Sequence, residues 1–197
     1  RTKSLPWIVS VVSNGLLLTE EYIKQLNEKN MDTFWISLDG LEENHDLLRG
    51  KGTYSKALRA LELLRDNFNG KKAIRVTLNK NNFNDYPELI KIAEEYKFDL
   101  IRITPLIPYG RAKGEDLEIT QDEYIEFLKG ISQIKSKVQI IYPEKITKKK
   151  PWIGTNGFGC HCGKEAIWVD ADGTCSPCYF WGEEYNIGNI KDQKLVE

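Results

Sequence analysis

The region from residue 8 to residue 142 alternates between short β-branched runs and amphipathic segments, and this alternation restricts the possible folds more than any other feature. Residues 8–12 form an apolar run that is too short for a helix and stops at a turn signal, and Thr19 offers an N-cap to the helical pattern that follows. Further strands are expected at 33–38, 73–78, 100–104 and 138–142, and further helices from 53 or 55 to 68, over 85–96 and from 120 to 131.

Strand–helix repetition of this length requires a parallel sheet covered by helices, either open or curled into a barrel, with right-handed crossovers. The sequence therefore predicts an α/β fold. In parallel sheets of both kinds, ligands bind beyond the carboxyl ends of the strands. Polar or glycine-containing segments follow the strands at 13–15, 37–40, 79 and 105–110, and we expect an active site to lie among them.

Four cysteines, the only ones in the chain, lie close together at Cys160, Cys162, Cys175 and Cys178. Two near pairs of thiols separated by a short strand–turn segment are typical of a metal or iron–sulfur site, because each tight turn directs two sulfurs at one ion. Zinc bound by all four thiolates is the alternative to an iron–sulfur cluster, since tetrahedral sulfur sites accept both metals.

The sequence after residue 143 differs from the part before it. Helical periodicity ends near Lys145, residues 151–159 are turn-forming, and Asp172-Gly173 is a strong signal for a short hairpin. About 50 residues cannot bury a sizeable core alone, so this part is predicted to be a small β-hairpin module stabilised by a metal centre. We expect two domains, at residues 1–143 and 144–197.

Charge and hydropathy bear on the possible partners. The formal net charge is −1 at pH 7. The overall electrostatic field of the chain is therefore not expected to attract nucleic acid or an anionic membrane. No apolar stretch approaches the ~18 residues that a membrane helix needs, and no signal h-region follows Arg1. We therefore expect a cytoplasmic protein that binds neither nucleic acid nor membrane. In the cytoplasm, clustered thiols are metal ligands more often than disulfides.

Several short motifs occur in an order and spacing that resemble one family. They are Ser-Asn-Gly-Leu-Leu-Leu at 13–18, Ile-Ser-Leu-Asp-Gly at 36–40, His-Asp-Leu-Leu-Arg-Gly at 45–50, Pro-Tyr-Gly-Arg at 108–111, Cys-x-x-Gly at 160–163, Pro-Cys at 177–178 and Ile-Gly-Asn-Ile at 187–190. In this combination the chain resembles a radical S-adenosylmethionine (SAM) enzyme with a C-terminal SPASM or twitch domain.

The resemblance implies a partial (β/α) radical SAM barrel whose strand ends hold S-adenosylmethionine against a [4Fe–4S] cluster. Ser37 would contact the ribose or the methionyl part of this cofactor, and Arg49 would bind its carboxylate, which suits a planar guanidinium. Ser13 and Asn14 would line the cofactor or substrate side of the cavity.

The resemblance also assigns a role to the cysteines. Cys160 and Cys178 would bind an auxiliary [4Fe–4S] cluster, with Cys162 and Cys175 as further candidates. The implied reaction is reductive cleavage of S-adenosylmethionine to a 5′-deoxyadenosyl radical, which modifies a peptide or small-molecule substrate. Such an enzyme takes electrons from a donor such as ferredoxin or flavodoxin.

Two motifs of this family are missing from the sequence. The cluster that cleaves S-adenosylmethionine is normally held by Cys-x3-Cys-x2-Cys after the first barrel strand, and a Gly-Gly-Glu segment follows the second. No cysteine precedes Cys160, and Gly-Gly-Glu does not occur. The chain is expected to begin just before the third barrel strand and to be inactive on its own. The alternative class is a non-catalytic metal-binding or interaction module, carrying zinc or an iron–sulfur cluster, derived from the same scaffold.

Individual site residues have simpler interpretations as well. Ser37 and Asp39 are also common types at strand ends and turns. Arg49 would then form a surface ion pair with Asp46 or Glu43, and His45 would be a turn residue before a helix.

Overall fold

The computed structural model describes residues 8–108, 112–143, 167–170, 172–178 and 183–192. The chain divides into two compact units, Arg1–Glu144 and Lys145–Glu197. Cys160 and Cys162, which the sequence analysis selects as candidate ligands, lie outside the described residues, as do residues 109–111 of the Pro-Tyr-Gly-Arg motif.

The first unit contains a five-stranded sheet in which the strands lie in chain order and every neighbouring pair is parallel. The predicted α/β fold with parallel strands is confirmed. The strands are β1 (Ser10–Ser13), β2 (Thr33–Ser37), β3 (Lys71–Leu78), β4 (Leu100–Pro105) and β5 (Gln139–Ile141).

Five α-helices in the described residues connect these strands. Two of them begin with side-chain caps of the kind expected from sequence: Thr19 accepts a hydrogen bond from the Tyr22 amide, and Thr120 forms a reciprocal capping box with Glu123. In the described residues no helix is both long and apolar enough to span a membrane. The helices are α1 (Glu20–Glu28), α2 (Glu42–Arg49), α3 (Thr53–Asn67), α4 (Tyr86–Glu95) and α5 (Gln121–Ile131).

The two faces of the sheet differ in character. Right-handed crossovers between parallel strands in chain order place all the helices on one face, and alternate strand residues point to opposite faces. On the helix side the strand residues are almost fully buried apolar groups that form the core with α1, α3, α4 and α5. They are Phe34, Ile36, Ile74, Val76, Leu78, Ile101 and Ile103. The other side, called the inner face below, carries Trp35, Ser37, Arg75, Thr77, Arg102 and Thr104.

Helix α2 is absent from the sequence prediction, which places no helix between residues 41 and 52. Its N-cap residue, Leu41, has no capping side chain of its own. Instead the carboxylate of Asp85, 44 residues further along the chain, accepts a hydrogen bond from the Leu41 amide at 2.9 Å. The helix start is thus stabilised by a tertiary contact that no local pattern reveals.

The second unit contains a small antiparallel sheet. Strand β7 (Thr174–Ser176) lies in the middle and pairs with β6 (Trp168–Val169) and β8 (Gly188–Asn189), and a short 3-10 helix covers Glu183–Tyr185. Gly173 has φ +90°, as expected for the Asp-Gly turn between β6 and β7. The predicted hairpin is therefore present.

Candidate cofactor site at the carboxyl edge of the sheet

Four residues selected from sequence lie at or beside the carboxyl ends of β1 and β2. Ser13 ends β1 and Asn14 follows it, and Ser37 ends β2. Arg49 is the last residue of α2 and reaches back to the loop after β2 through its ion pair with Asp39. The structure thus brings the four residues to the same edge of the sheet.

Ser13 and Asn14 are engaged in a local turn. Ser13 is in register with Ile36 and so belongs to the face that the helices cover. Its hydroxyl accepts a hydrogen bond from the Gly15 amide at 3.0 Å, and the side-chain oxygen of Asn14 accepts one from the Leu16 amide at 3.2 Å. These contacts shape the β1–α1 connection.

Gly15 is required by the shape of this connection. Its φ is +76°, in the left-handed region that favours glycine, and a Cβ at this position would lie 2.6 Å from the Cβ of Ala60 on α3. The glycine therefore lets the loop pack directly on α3 and keeps Asn14 at the strand end.

Ser37 occupies the inner face at the end of β2. The residue is 8% exposed, and no described residue forms a hydrogen bond with its hydroxyl. Its register neighbour on β3 is Arg75. A hydroxyl placed in this way can still donate and accept hydrogen bonds to a ligand.

Arg49 forms an ion pair with a buried carboxylate. Its Nε donates a hydrogen bond to Oδ2 of Asp39 at 2.5 Å, and its Nη2 lies 2.5 Å from the same oxygen. Asp39 is 2% exposed, whereas the side chain of Arg49 is 30% exposed. The surface pair with Asp46 or Glu43 that the sequence also allowed is not the pair that the structure shows.

Asp39 connects Arg49 to the ends of two strands. Its second carboxylate oxygen accepts a hydrogen bond from the Thr77 amide on β3 at 2.6 Å. Its own amide donates to Nδ1 of His45 at 3.1 Å, and its carbonyl accepts from the side-chain amide of Asn82 at 2.6 Å. All the polar groups of this residue are thereby bonded, which fixes the position of Arg49.

His45 is buried in α2 and is not the turn residue that its position in the sequence suggested. It is 1% exposed, and its ring packs edge-on against Tyr54 at 5.9 Å between centroids. Burial lowers the pKa of His45, with Asp39 opposing this shift and Arg49 adding to it. Because Nδ1 accepts the Asp39 amide proton, the contact requires the neutral imidazole.

The loop from β3 to α4 supports the same edge. The Asn82 side chain donates to the carbonyls of Asp39 and Thr77, at 2.6 and 2.8 Å. Asp85 accepts hydrogen bonds from the Leu41 amide and the Asn44 side chain. The abundance of asparagine at residues 79–84 is the one local signal in the sequence for these supporting residues.

Two of the four cysteines lie in the described part of the second unit. Cys175 is in the central strand β7, is 4% exposed, and its thiol donates to the carbonyl of Gly173 at 3.6 Å. Cys178, two residues beyond the strand, is partly exposed. Both are free thiols. Among the described residues no group of three or more metal-ligating side chains is present.

The first unit thus defines a class of protein, namely a parallel β/α protein with its polar site at the carboxyl edge of the sheet. The sequence profile of the radical SAM superfamily matches residues 3–93, and the profile of the SPASM iron–sulfur cluster-binding domain matches residues 160–197. The chain belongs to the radical SAM superfamily and carries a C-terminal SPASM domain.

Curated relatives and solved structures agree with this family. Fe-coproporphyrin III synthase of Methanosarcina barkeri is 26% identical, covering 100% of this chain and 55% of that protein. The serine-type anaerobic sulfatase-maturating enzyme of Bacteroides thetaiotaomicron is 27% identical, covering 95% of this chain and 51% of that protein. The chain spans about half the length of these relatives.

A solved structure described as native anSMEcpe with bound AdoMet superposes on this chain with a TM-score of 0.74. It is 26% identical, and the match covers 95% of this chain and 55% of that one. The match extends the structural likeness beyond the residues that the radical SAM profile covers.

Proposed function

We propose that these residues form part of a radical SAM enzyme that modifies a peptide or small-molecule substrate. When bound, S-adenosylmethionine and a [4Fe–4S] cluster supply one-electron hydrogen-abstraction chemistry. The residues of this chain contribute the binding and orientation of the cofactor at the carboxyl edge of the sheet. The observation that carries the proposal is the Asp39–Arg49 ion pair in the loop that follows Ser37, in a chain of this family. The hydroxyl of Ser37 bonds to no described residue.

The donors of Arg49 fit a carboxylate ligand. A guanidinium has five N–H groups. Asp39 binds the edge of the Arg49 guanidinium formed by Nε and Nη2. The Nη1–Nη2 edge stays available for a second carboxylate, which it can bind with two hydrogen bonds. Asp39 therefore orients Arg49 without consuming its capacity to bind the methionyl carboxylate.

The second unit supplies ligands for an auxiliary cluster in this proposal. Residues 144–197 form the SPASM/twitch-like domain and residues 1–143 the barrel part. Cys160 and Cys178 bind a [4Fe–4S] cluster, with Cys162 and Cys175 as further candidates, and ferredoxin or flavodoxin supplies electrons. Of the two described thiols, Cys178 fits a ligand better, because Cys175 is buried in a strand and already hydrogen-bonded to a carbonyl.

The relatives support both substrate classes. The name of the sulfatase-maturating enzyme indicates a protein substrate, and the name of the Fe-coproporphyrin III synthase indicates a small-molecule product. We place the enzyme in the cytoplasm, where low-potential electron donors and reduced thiols are found.

Anaerobic reconstitution followed by an assay for 5′-deoxyadenosine tests this function. We expect the full gene product containing these residues to form 5′-deoxyadenosine when reduced in the presence of S-adenosylmethionine. The 197-residue chain itself has no cysteine before Cys160, and we expect it to form none. Formation of this nucleoside by the 197-residue chain would show that a different ligand set supports the reaction, and its absence from the full gene product would refute the proposal.

A non-catalytic metal-binding module is the second candidate. The observation that favours it is the close spacing of the four cysteines, a pattern that all-thiolate zinc sites share with iron–sulfur sites. A gene product with no Cys-x3-Cys-x2-Cys segment that binds zinc or iron but produces no 5′-deoxyadenosine would establish this alternative.

A further inference from the structure

Two arginines lie side by side on the inner face of the sheet. Arg75 on β3 is in register with Arg102 on β4, which places their backbones about 4.8 Å apart, the spacing of neighbouring strands. Both residues are exposed to solvent, although the surrounding protein atoms partly desolvate the guanidinium of Arg102. Arg75 lies one strand away from Ser37, its register neighbour on β2, and Arg102 lies two strands away.

Neither guanidinium has an acidic partner in the described part of the chain. No ion pair and no side-chain hydrogen bond of the described residues involves Arg75 or Arg102. None of the five strands contains an aspartate or a glutamate. The carboxylate of Asp39, just beyond β2, is already bonded to Arg49 and to the Thr77 amide. The inner face is therefore positively charged.

This arrangement is unfavourable for the sheet by itself. Like charges directly opposite each other on neighbouring strands destabilise the pairing. Desolvation lowers the pKa of Arg102, and the charge of Arg75 lowers it further. A bound anion would remove this repulsion, and arginine pairs are well suited to carboxylate and phosphate because each fork donates two parallel hydrogen bonds.

Trp35 orients one of the two arginines. The guanidinium carbon of Arg102 lies 5.5 Å from the centre of the Trp35 ring, on its face, within the range of a cation–π contact. A stacked guanidinium still presents its N–H groups at its edges. The contact thus holds Arg102 in place and leaves its donors free.

We propose that Arg75 and Arg102, the latter stacked on Trp35, form an anion subsite that binds a carboxylate or phosphate group of the substrate. The proposal rests on the proposed function, because it places the substrate next to the cofactor edge at Ser37. It narrows the substrate to an anionic molecule. The subsite is separate from Arg49, whose partner is Asp39.

Binding of inorganic tripolyphosphate and of citrate to the 197-residue chain, measured by calorimetry at fixed ionic strength, tests the subsite without cluster or cofactor. We expect at least one of the two to bind saturably and to change the fluorescence of Trp35, identified by its loss in Trp35→Phe. The two probes separate a phosphate-bearing substrate from a carboxylate-bearing one. Arg75→Gln and Arg102→Gln should each weaken binding on the order of tenfold or more, as for a lost charge-assisted hydrogen bond.

Arg59→Gln is the matched control, since it removes the same charge from an exposed position on α3 and should leave the affinity unchanged. Arg102→Lys keeps the charge but loses the planar fork, and should recover only part of the affinity. Circular dichroism and urea unfolding of each variant show whether it is folded.

Three outcomes would overturn the subsite. The first is the absence of saturable binding by both anions, and the second is an equal loss of affinity in Arg59→Gln. The third is a loss of S-adenosylmethionine binding alone in Arg75→Gln and Arg102→Gln, which would make the pair a cofactor contact. Failure of the proposed function would appear elsewhere, as absence of 5′-deoxyadenosine from the full gene product.

Discussion

Nε and Nη2 of Arg49 both lie 2.5 Å from the same carboxylate oxygen of Asp39. The aspartate follows a strand and is almost fully buried, whereas the arginine ends a helix and is partly exposed. The pair therefore links the end of α2 to the end of β2, and it sets the direction in which the remaining donors of Arg49 point.

Replacement of Asp39 by asparagine is expected to destabilise the first unit. The change removes the negative charge from a largely buried ion pair. It also replaces a carboxylate that accepts hydrogen bonds from Arg49 and from the Thr77 backbone amide by a side-chain amide, which has only one acceptor oxygen. We expect a loss of about 2 kcal/mol or more in the free energy of unfolding, measured by urea denaturation. Asp66→Asn, which breaks an exposed pair with Arg65, is the control and should leave the midpoint unchanged; an equal effect of both variants would contradict the prediction.

Arg49→Lys should weaken S-adenosylmethionine binding more than it weakens folding. A lysine can still pair with Asp39 as a point charge, but it cannot bind Asp39 and a second carboxylate with separate edges. We expect affinity to fall on the order of tenfold, measured by equilibrium dialysis with the reconstituted full gene product. Unchanged affinity, in a variant with normal iron content, would remove Arg49 from the cofactor site.

The unfolding free energy should depend on pH through His45. Burial lowers its pKa below the ordinary value of 6.5, so the unfolded chain binds a proton first as the pH falls. This part of the stability is complete above about pH 6.5 and decreases as the pH falls from there toward the folded-state pKa. Protonation would also break the hydrogen bond from the Asp39 amide to Nδ1.

Urea titrations between pH 7.5 and 5 measure this dependence in wild type, His45→Gln and His161→Gln. The chain has two histidines, so the second variant is a matched control. We expect the dependence in this range to be lost in His45→Gln and retained in His161→Gln. The opposite pattern would assign the dependence to His161.

The two described cysteines should differ in their effect on metal binding. Cys178 is partly exposed beyond the end of β7, whereas the Cys175 thiol is buried and donates to the Gly173 carbonyl. We expect Cys178→Ala to lose most of the bound iron after anaerobic reconstitution and Cys175→Ala to retain it. Iron analysis and the visible spectrum measure this difference, and a colourless protein that contains zinc in both variants would favour the zinc alternative.

Much of the fold follows from local patterns. The five parallel strands lie where the short β-branched runs predict them, and α1 and α5 begin at the threonines expected to cap them. Helix α2 is the exception, because its first amide is capped by Asp85 from a distant loop. The start of a helix that is capped by a distant residue cannot be predicted from the residues next to it in the sequence.

The sequence alone determined the alternation of strands and helices, the hairpin at Asp172-Gly173 and the family, because these depend on periodicity, turn chemistry and motif spacing along the chain. Tertiary structure decided which charges meet. Strand register placed Arg75 beside Arg102. The packing of α2 brought Arg49 into an ion pair with Asp39 rather than with an acidic residue of its own helix. Such pairings depend on how distant segments dock, and a charged residue in a one-dimensional pattern does not specify its partner.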